Sequence, residues 1–338
     1  MSRADLELGP RELQILRSAG LVSARGYAAA VAAVRDEAFW ARWGRRALLA
    51  LGAGQFLAGV VFFFAYNWHD LSDLAKFAIV ETALVIAAGG ALLVGLDRAF
   101  GQVLLIAASV LTGVLLAVIG QVYQTGADMF ELFVAWAALI LPWAIISRSA
   151  VHWLLWLVVA EAALALYGGQ VLMVVGAVSL AEIWVLVGAT IVLALAGREL
   201  AVRHGLTWLS AHWTRLVLLF AAMAVLFMPA AGNAVDIDEF GSEPLCLAAF
   251  LLALVGAAGV YWRLRPDFAA LVIVIGFADA FFICVGYRLI DEAIGFGFND
   301  AVPALTSFGA MIAWAIAGTG SAALAMRRLR AGVQRIAA

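Results

Sequence analysis

The chain has 338 residues, of which 66% are hydrophobic and 13% are charged. Soluble globular proteins contain about 45–50% apolar and about 25% charged residues, so this composition excludes that class, as well as disordered and collagen-like chains. It indicates a protein that crosses a membrane several times, with the lipid bilayer as its main partner. Two cysteines are too few for a disulfide-rich scaffold, and since Cys246 and Cys284 both lie in apolar runs they are interpreted as small buried hydrophobic residues. A net charge of −2 gives no indication of a nucleic-acid partner.

The first 47 residues carry 13 of the 44 charged side chains and precede any long apolar run. Asp5 and Glu7 are unlike the basic start of a signal peptide. Pro10 predicts the first turn of one helix, and Ser23 predicts the cap of a second. Residues 1–47 are therefore predicted to form an amphipathic helical hairpin on the cytoplasmic surface. A docking module for a protein partner is the alternative interpretation.

Ten apolar runs approach the length of a transmembrane helix, because a hydrocarbon core of about 30 Å needs about 20 residues at about 1.5 Å each. They are 48–66, 74–96, 101–123, 129–146, 151–168, 182–197, 214–231, 245–262, 269–288 and 302–325. The predicted fold is therefore all-α, a polytopic transmembrane helical bundle of about ten spans. Residues 48–148 form a first four-span unit, and 149–338 contain the remaining spans. Between 170 and 197 the pattern permits either one long tilted helix or two pieces.

The basic residues predict the orientation when ten spans alternate from a cytoplasmic N-terminus. The cytoplasmic side then contains 19 of the 21 Lys and Arg residues, and only Lys76 and Arg288 lie on the other side. Eight of the 19 precede the first span, and the others are Arg98, Arg148, Arg198, Arg203, Arg215, Arg263, Arg265, Arg327, Arg328, Arg330 and Arg335. This is the positive-inside pattern, and it predicts that both termini are cytoplasmic.

Two polar stretches lie at the predicted outer ends of neighbouring spans. Phe64 to Leu71 includes the end of the first span, and Gly120 to Asp128 includes the end of the third. Their candidate ligand-binding residues are Asn67, Trp68, Gln121, Tyr123, Gln124 and Asp128. Two explanations remain open: an interfacial belt of aromatic and helix-capping side chains, or a polar vestibule for a ligand.

These stretches carry a family resemblance. An Asn-Trp pair after span one and a Gly-Gln-x-Tyr-Gln segment before a Trp-bearing span resemble a bacterial family of predicted inner-membrane proteins, domain of unknown function 2157. The resemblance covers about residues 10–148 and includes the Gly20-Leu21 turn of the hairpin. It implies a multi-pass protein of a bacterial inner membrane. Since that family has no established activity, the resemblance implies no mechanism.

Three carboxyl groups lie inside predicted spans. Glu81, Glu161 and Asp279 occur in spans two, five and nine, seven to nine residues from the predicted outer ends. An Asp or Glu near the bilayer centre costs about 2.5–3.5 kcal/mol on insertion scales, so such residues usually face other helices or water. Two arrangements remain open. Each carboxyl is protonated and bonded to a neighbouring helix, or all three line one outward-facing cavity that binds a proton or cation.

Motifs of known chemistry are lacking: the sequence has no phosphate-binding Gly-rich loop, no His-Glu-x-x-His and no Gly-x-Ser-x-Gly. We therefore predict no catalytic residue, no metal site and no cofactor, and an enzyme is the less favoured class. His152 and His212 are interpreted as interfacial residues beside arginines. Two function classes remain. The first is a protein that binds or transports a small ligand or cation, and the second is a structural or assembly factor of the cell envelope. Small-residue patterns do not determine the oligomeric state.

Overall fold

The computed structural model describes residues 68–124, 126–235, 244–294 and 301–336, together with single residues and short pieces among the first 55. The predicted first span, 48–66, and most of the predicted hairpin lie outside the described residues. Within the hairpin segment, Ser23 Oγ accepts a hydrogen bond from the backbone N–H of Gly26 at 3.1 Å, as a helix cap requires. The helix-cap prediction at Ser23 agrees with this contact.

Nine long helices form the described part of the chain. They are α1 (Asp73–Val94), α2 (Ala99–Tyr123), α3 (Met129–Ser147), α4 (Ala150–Tyr167), α5 (Leu180–Arg203), α6 (His212–Ala234), α7 (Pro244–Gly259), α8 (Phe268–Ile294) and α9 (Ala301–Ile336). Each is long and apolar enough to cross a membrane, α4 and α7 when taken with the π-helical turns that continue them to Leu172 and Leu264. The prediction of an all-α polytopic bundle is confirmed, and these helices correspond to predicted spans two to ten. The described residues contain no strand.

The segment 170–197 forms two pieces. A π-helical turn, Gly168–Leu172, continues α4, and α5 begins after a short connection. Ser179 starts α5 with a capping box: its Oγ accepts the Glu182 N–H at 3.2 Å, and Glu182 Oε2 accepts the Ser179 N–H at 2.7 Å. Glu182 therefore begins a helix instead of interrupting one. As a result the sixth span is longer than predicted, with 24 residues from Leu180 to Arg203.

Helix ends follow from local backbone chemistry. Gly95 and Gly205 come just after α1 and α5 with φ angles of 90° and 91°, a left-handed conformation that favours glycine. The chain divides into two compact units, Met1–Lys76 with Gly332–Ala338, and Phe77–Ala331. In the second unit, α6 packs against α5, α7 and α8 and contributes to all three buried apolar clusters of the described residues.

The outer surfaces of the helices are apolar. Leu92 and Leu93 on α1 are 75% and 90% exposed, which suits contact with lipid chains rather than water. Small residues permit close helix packing inside. A Cβ added at Gly113 would lie 2.4 Å from the ring of Trp136, so glycine makes room for this side chain between α2 and α3. Trp136 Nε1 in turn donates to the Ser109 carbonyl at 2.8 Å.

Candidate functional site

An ion-pair cluster joins the ends of α5 and α6 to the start of α8. Its members are Arg198, Glu199, His212, Arg215, Arg265 and Asp267. Glu199 is the common acceptor: Arg198 Nη1 lies 2.6 Å and Arg215 Nε lies 2.8 Å from its Oε1, and Arg265 pairs with it as well. A carboxylate shared by three guanidinium groups partly compensates their positive charges, and it links the end of α5 to α6 and to the segment before α8.

Asp267 is the second acceptor of the ion-pair cluster. Its Oδ2 accepts from Arg215 Nη1 at 2.8 Å and lies 2.7 Å from His212 Nε2. Its Oδ1 accepts the backbone N–H groups of Ala269 and Ala270, so Asp267 also caps α8. Burial alone raises the pKa of Asp267, but the hydrogen bonds from Arg215, Ala270 and His212 outweigh it and lower the pKa below its usual value. Asp267 is therefore ionised at neutral pH.

Arg198 is the most buried cation of the ion-pair cluster, with 2% of its surface exposed. Beyond Glu199, its Nε donates to Thr214 Oγ1 at 3.1 Å and its Nη2 donates to the Ala211 carbonyl at 3.0 Å. Sequence reasoning used these arginines only as markers of orientation and missed the cluster. Two signals were present: an adjacent Arg198-Glu199 pair at a helix end, and an aspartate in the N-cap position after Pro266.

Glu161 is bonded to a neighbouring helix. Its Oε2 lies 2.8 Å from Thr190 Oγ1 on α5, and the same hydroxyl lies 2.7 Å from the Val187 carbonyl oxygen. A threonine hydroxyl has one proton, so it can donate to only one of these two acceptors. If the Glu161 carboxyl carries a proton, it donates to Thr190, and Thr190 donates to Val187. Both contacts are then satisfied without an ion pair.

Asp279 faces α9 from the middle of α8. Its Oδ1 is buried and has no hydrogen-bond partner among the described residues. A Cβ added at Gly318 would lie 2.7 Å from this oxygen, so glycine provides the space that the carboxyl occupies. One turn and two turns further along α8, Phe282 and Gly286 contact Trp314, whose Nε1 donates to the Phe282 carbonyl at 2.8 Å. The seam between α8 and α9 thus contains one unsatisfied carboxyl oxygen.

Glu81 differs from the other two carboxyls. It lies on an exposed face of α1, and the described residues offer it no hydrogen bond or ion pair. The depths differ too, because Glu81 is eight residues from the start of α1, whereas Glu161 is 11 residues from each end of the span Ala150–Leu172. The three carboxyls therefore have three different neighbourhoods. Four cavities of the described part are lined by other residues.

The outer candidate residues lie at helix ends. Trp68 is in a short 3₁₀ turn, with Lys76 Nζ 5.8 Å from its ring centroid, and Asn67 lies outside the described residues. The other four candidates are all exposed: Gln121 and Tyr123 lie in the last turn of α2, and Gln124 and Asp128 lie in the connection to α3. The ring of Tyr123 is 6.0 Å from that of Phe77, and Gln124 ends α2 with a left-handed φ of 43°.

The comparison with known families comes from the N-terminal part. Residues 14–153 match a family described as predicted membrane protein, domain of unknown function 2157. This match confirms the resemblance inferred over about residues 10–148. No curated protein and no solved structure matches the chain. The ion-pair cluster lies outside the segment that matches domain of unknown function 2157.

A buried polar pair lies within the segment that matches domain of unknown function 2157. His152 Nε2 on α4 is 2.8 Å from Ser109 Oγ on α2, and both residues are fully buried. His152 Nδ1 has no hydrogen-bond partner among the described residues. The interpretation of His152 as an interfacial residue was wrong, because α4 turns its first residues toward α2. His212 lies at the helix ends, as predicted, but as a member of the ion-pair cluster.

Proposed function

We propose that the protein binds a small cation or cationic ligand among its helices, with Asp279 as the principal binding group. The observation that carries this proposal is the buried Oδ1 of Asp279, which has no donor among the described residues. A carboxyl oxygen withdrawn from water without a partner is unfavourable. A proton or a bound cation removes that cost, so the site exchanges one for the other.

The other candidate residues have secondary roles in this proposal. Glu161 already has Thr190 as a partner and acts as a second protonatable group. Gln121, Tyr123, Gln124 and Asp128 form the outer entrance, and the exposure of these four residues supports this role. Transport, as distinct from binding, requires that the ligand pass from this entrance to the opposite side of a bacterial inner membrane.

Cation binding is tested with Asp279→Asn, and Glu81→Gln is the matched control at an exposed carboxyl. Purified protein in detergent is unfolded thermally in sodium, potassium or choline chloride at several pH values. A ligand that binds only the folded state raises the unfolding temperature. We expect a cation- and pH-dependent rise in wild type and in Glu81→Gln that is lost in Asp279→Asn. If no cation and no pH change shifts wild type more than Asp279→Asn, the proposal is rejected.

The second candidate is a structural or assembly factor that acts through protein partners. The ion-pair cluster favours it, because three helix ends joined by shared charges form a stable scaffold. The predicted hairpin, 1–47, is the proposed docking segment. Deletion of residues 1–47 distinguishes the two functions. If the protein is an assembly factor, the deletion abolishes the cross-links to its protein partners that are detected in cells. If it is a cation-binding protein, the unfolding temperature of the deletion variant still depends on cations.

The proposed orientation has both termini in the cytoplasm. Single cysteines at exposed positions test it in a background where Cys246 and Cys284 are replaced by alanine. A membrane-impermeant thiol reagent added to intact spheroplasts is expected to label Asp128→Cys and to leave His204→Cys unlabelled. Labelling of His204→Cys without permeabilisation contradicts the orientation. Residue Ser147 is unsuitable as a probe because it is only 3% exposed.

A further inference from the structure

A groove lies beside the C-terminal ends of α3 and α5, which are the ends that carry arginines. It has a volume of about 850 Å³ and lies between α3, α4, α5 and the turn Thr207–Leu209. Its wall is mostly apolar and aromatic, with Leu141, Ile145, Ala194, Trp153, Trp156 and Trp208 among the lining residues. Leu141 and Ile145 belong to a membrane-crossing segment of α3, so the apolar wall is in reach of lipid chains.

Two arginines line the groove: Arg198 is paired with Glu199, whereas Arg148 is not part of the ion-pair cluster. Arg148 ends α3 in a left-handed conformation, with φ 47°, and is exposed. In the cluster described above, Arg198, Arg215 and Arg265 each pair with a carboxylate. Arg148, in contrast, has no acidic partner within ion-pair distance anywhere in the described ranges. The rim therefore presents a cation whose charge the protein leaves uncompensated.

Three tryptophan side chains line the same groove, and they differ in whether the indole N–H has an acceptor. Trp156 Nε1 donates to the Ala137 carbonyl at 3.0 Å and is satisfied. Trp153 and Trp208 have no acceptor for their N–H among the residues that the structure describes. Tryptophan at a membrane surface buries its ring in the apolar layer and directs its N–H to the polar headgroups. The groove thus combines a free cation, two free donors and an apolar wall.

We propose that this groove binds an anionic phospholipid of the surrounding bilayer. The lipid phosphate accepts hydrogen bonds from the Arg148 guanidinium, whose planar donors match phosphate geometry. An acyl chain lies along the apolar wall beside α5. The charge complementarity selects an anionic headgroup, and the apolar wall selects a lipid over a free phosphate ion. This site is separate from Asp279, so it stands independently of the proposed cation binding.

The test uses the full-length protein in a neutral detergent and dioctanoyl phosphatidylglycerol as the probe. The shift of thermal unfolding temperature with probe concentration gives an apparent dissociation constant. We expect Arg148→Gln to raise it about tenfold, equivalent to about 1.4 kcal/mol, whereas Arg148→Lys keeps part of the affinity. Arg98→Gln is the matched control, because Arg98 is also exposed and unpaired within the described part but does not line the groove. It is expected to bind like wild type.

A second variant tests the apolar part. Gly197 lines the groove, and a Cβ added there meets nothing within 4 Å, so Gly197→Leu places an apolar side chain at the groove wall from a position that accepts a Cβ. We expect it to fold and to bind the probe at least fivefold more weakly. Gly276→Leu, at an equally open helical position outside the groove, is the control. Equal shifts with phosphatidylcholine, an equal shift with inorganic phosphate, or equal losses in Arg98→Gln and Arg148→Gln each overturn the proposal.

Discussion

Ionisable side chains have different kinds of partner at the ends of the helices and in their middles. At the ends of α5, α6 and α8, six ionisable side chains form the ion-pair cluster, in which the single carboxylate of Glu199 pairs with three arginines. In the middles, Glu161 has one neutral hydroxyl as its partner, and Asp279 Oδ1 has none among the described residues. Charges at the helix ends are stabilised collectively, whereas a carboxyl in the middle depends on a single neighbour or on a proton.

The largest effect is expected at Glu199. Glu199→Gln removes the charge that compensates Arg198, Arg215 and Arg265, and breaking a buried ion pair costs about 3–5 kcal/mol. Reversible unfolding in mixed detergent micelles measures this loss. The control is Glu292→Gln, because Glu292 is 60% exposed in its pair with Arg288 and such pairs contribute about 0–1 kcal/mol. Equal losses in the two variants contradict a collective role for Glu199.

The second effect concerns Asp267 and pH. Asp267→Asn removes the charge that binds Arg215 and His212, and we expect a loss of about 2 kcal/mol near neutral pH. The folded pKa of Asp267 lies below its unfolded value of about 3.9, so its contribution is complete above the unfolded pKa and decreases as pH falls through the folded pKa. The difference in stability between wild type and variant should shrink below about pH 4. If the difference in stability between wild type and Asp267→Asn grows as the pH falls, the pKa of Asp267 is not lowered by folding.

A smaller effect is expected in the middle of the bundle. Thr190→Val removes the hydroxyl that contacts Glu161 and keeps the side-chain volume, so we expect a loss of about 1 kcal/mol. Thr319→Val is the matched control, since Thr319 is exposed and, among the residues that the structure describes, its Oγ1 bonds only the Ala315 carbonyl of its own helix. Its loss should stay below about 0.5 kcal/mol. A Thr190→Val loss no greater than that of the control means that Glu161 does not depend on this contact.

The smallest effect is expected at Glu81. Because no described residue bonds it, Glu81→Gln should change the free energy of unfolding by less than about 0.5 kcal/mol. The same micelle titration measures it. A loss of more than about 1 kcal/mol in the free energy of unfolding would show that Glu81 has a partner. Its carboxyl would then resemble those of the ion-pair cluster and not the isolated carboxyls.

The candidate site was only partly accessible from the sequence. Glu161 and Asp279 can be recognised in the sequence, because a carboxyl in an apolar run raises the free energy of membrane insertion whichever way its side of the helix faces. Their neighbours Thr190 and Gly318 do not, because hydroxyls and glycines are common in membrane helices and their role depends on which helix is opposite. The ion-pair cluster was missed for the same reason: Arg215 and His212 meet Asp267 across 52 and 55 residues of chain.

The positions of the described membrane-spanning helices could be predicted from local features of the amino-acid sequence. Span length, apolar content and capping residues such as Ser179 act locally, and they do not depend on how the helices pack. The tertiary structure decided which groups meet, because the rotation of each helix selects the side chains that face its neighbours. For that reason Arg198 and Arg148, equivalent as basic residues in the sequence, differ in the fold: Arg198 is buried against Glu199, and Arg148 remains exposed at the rim of an apolar groove.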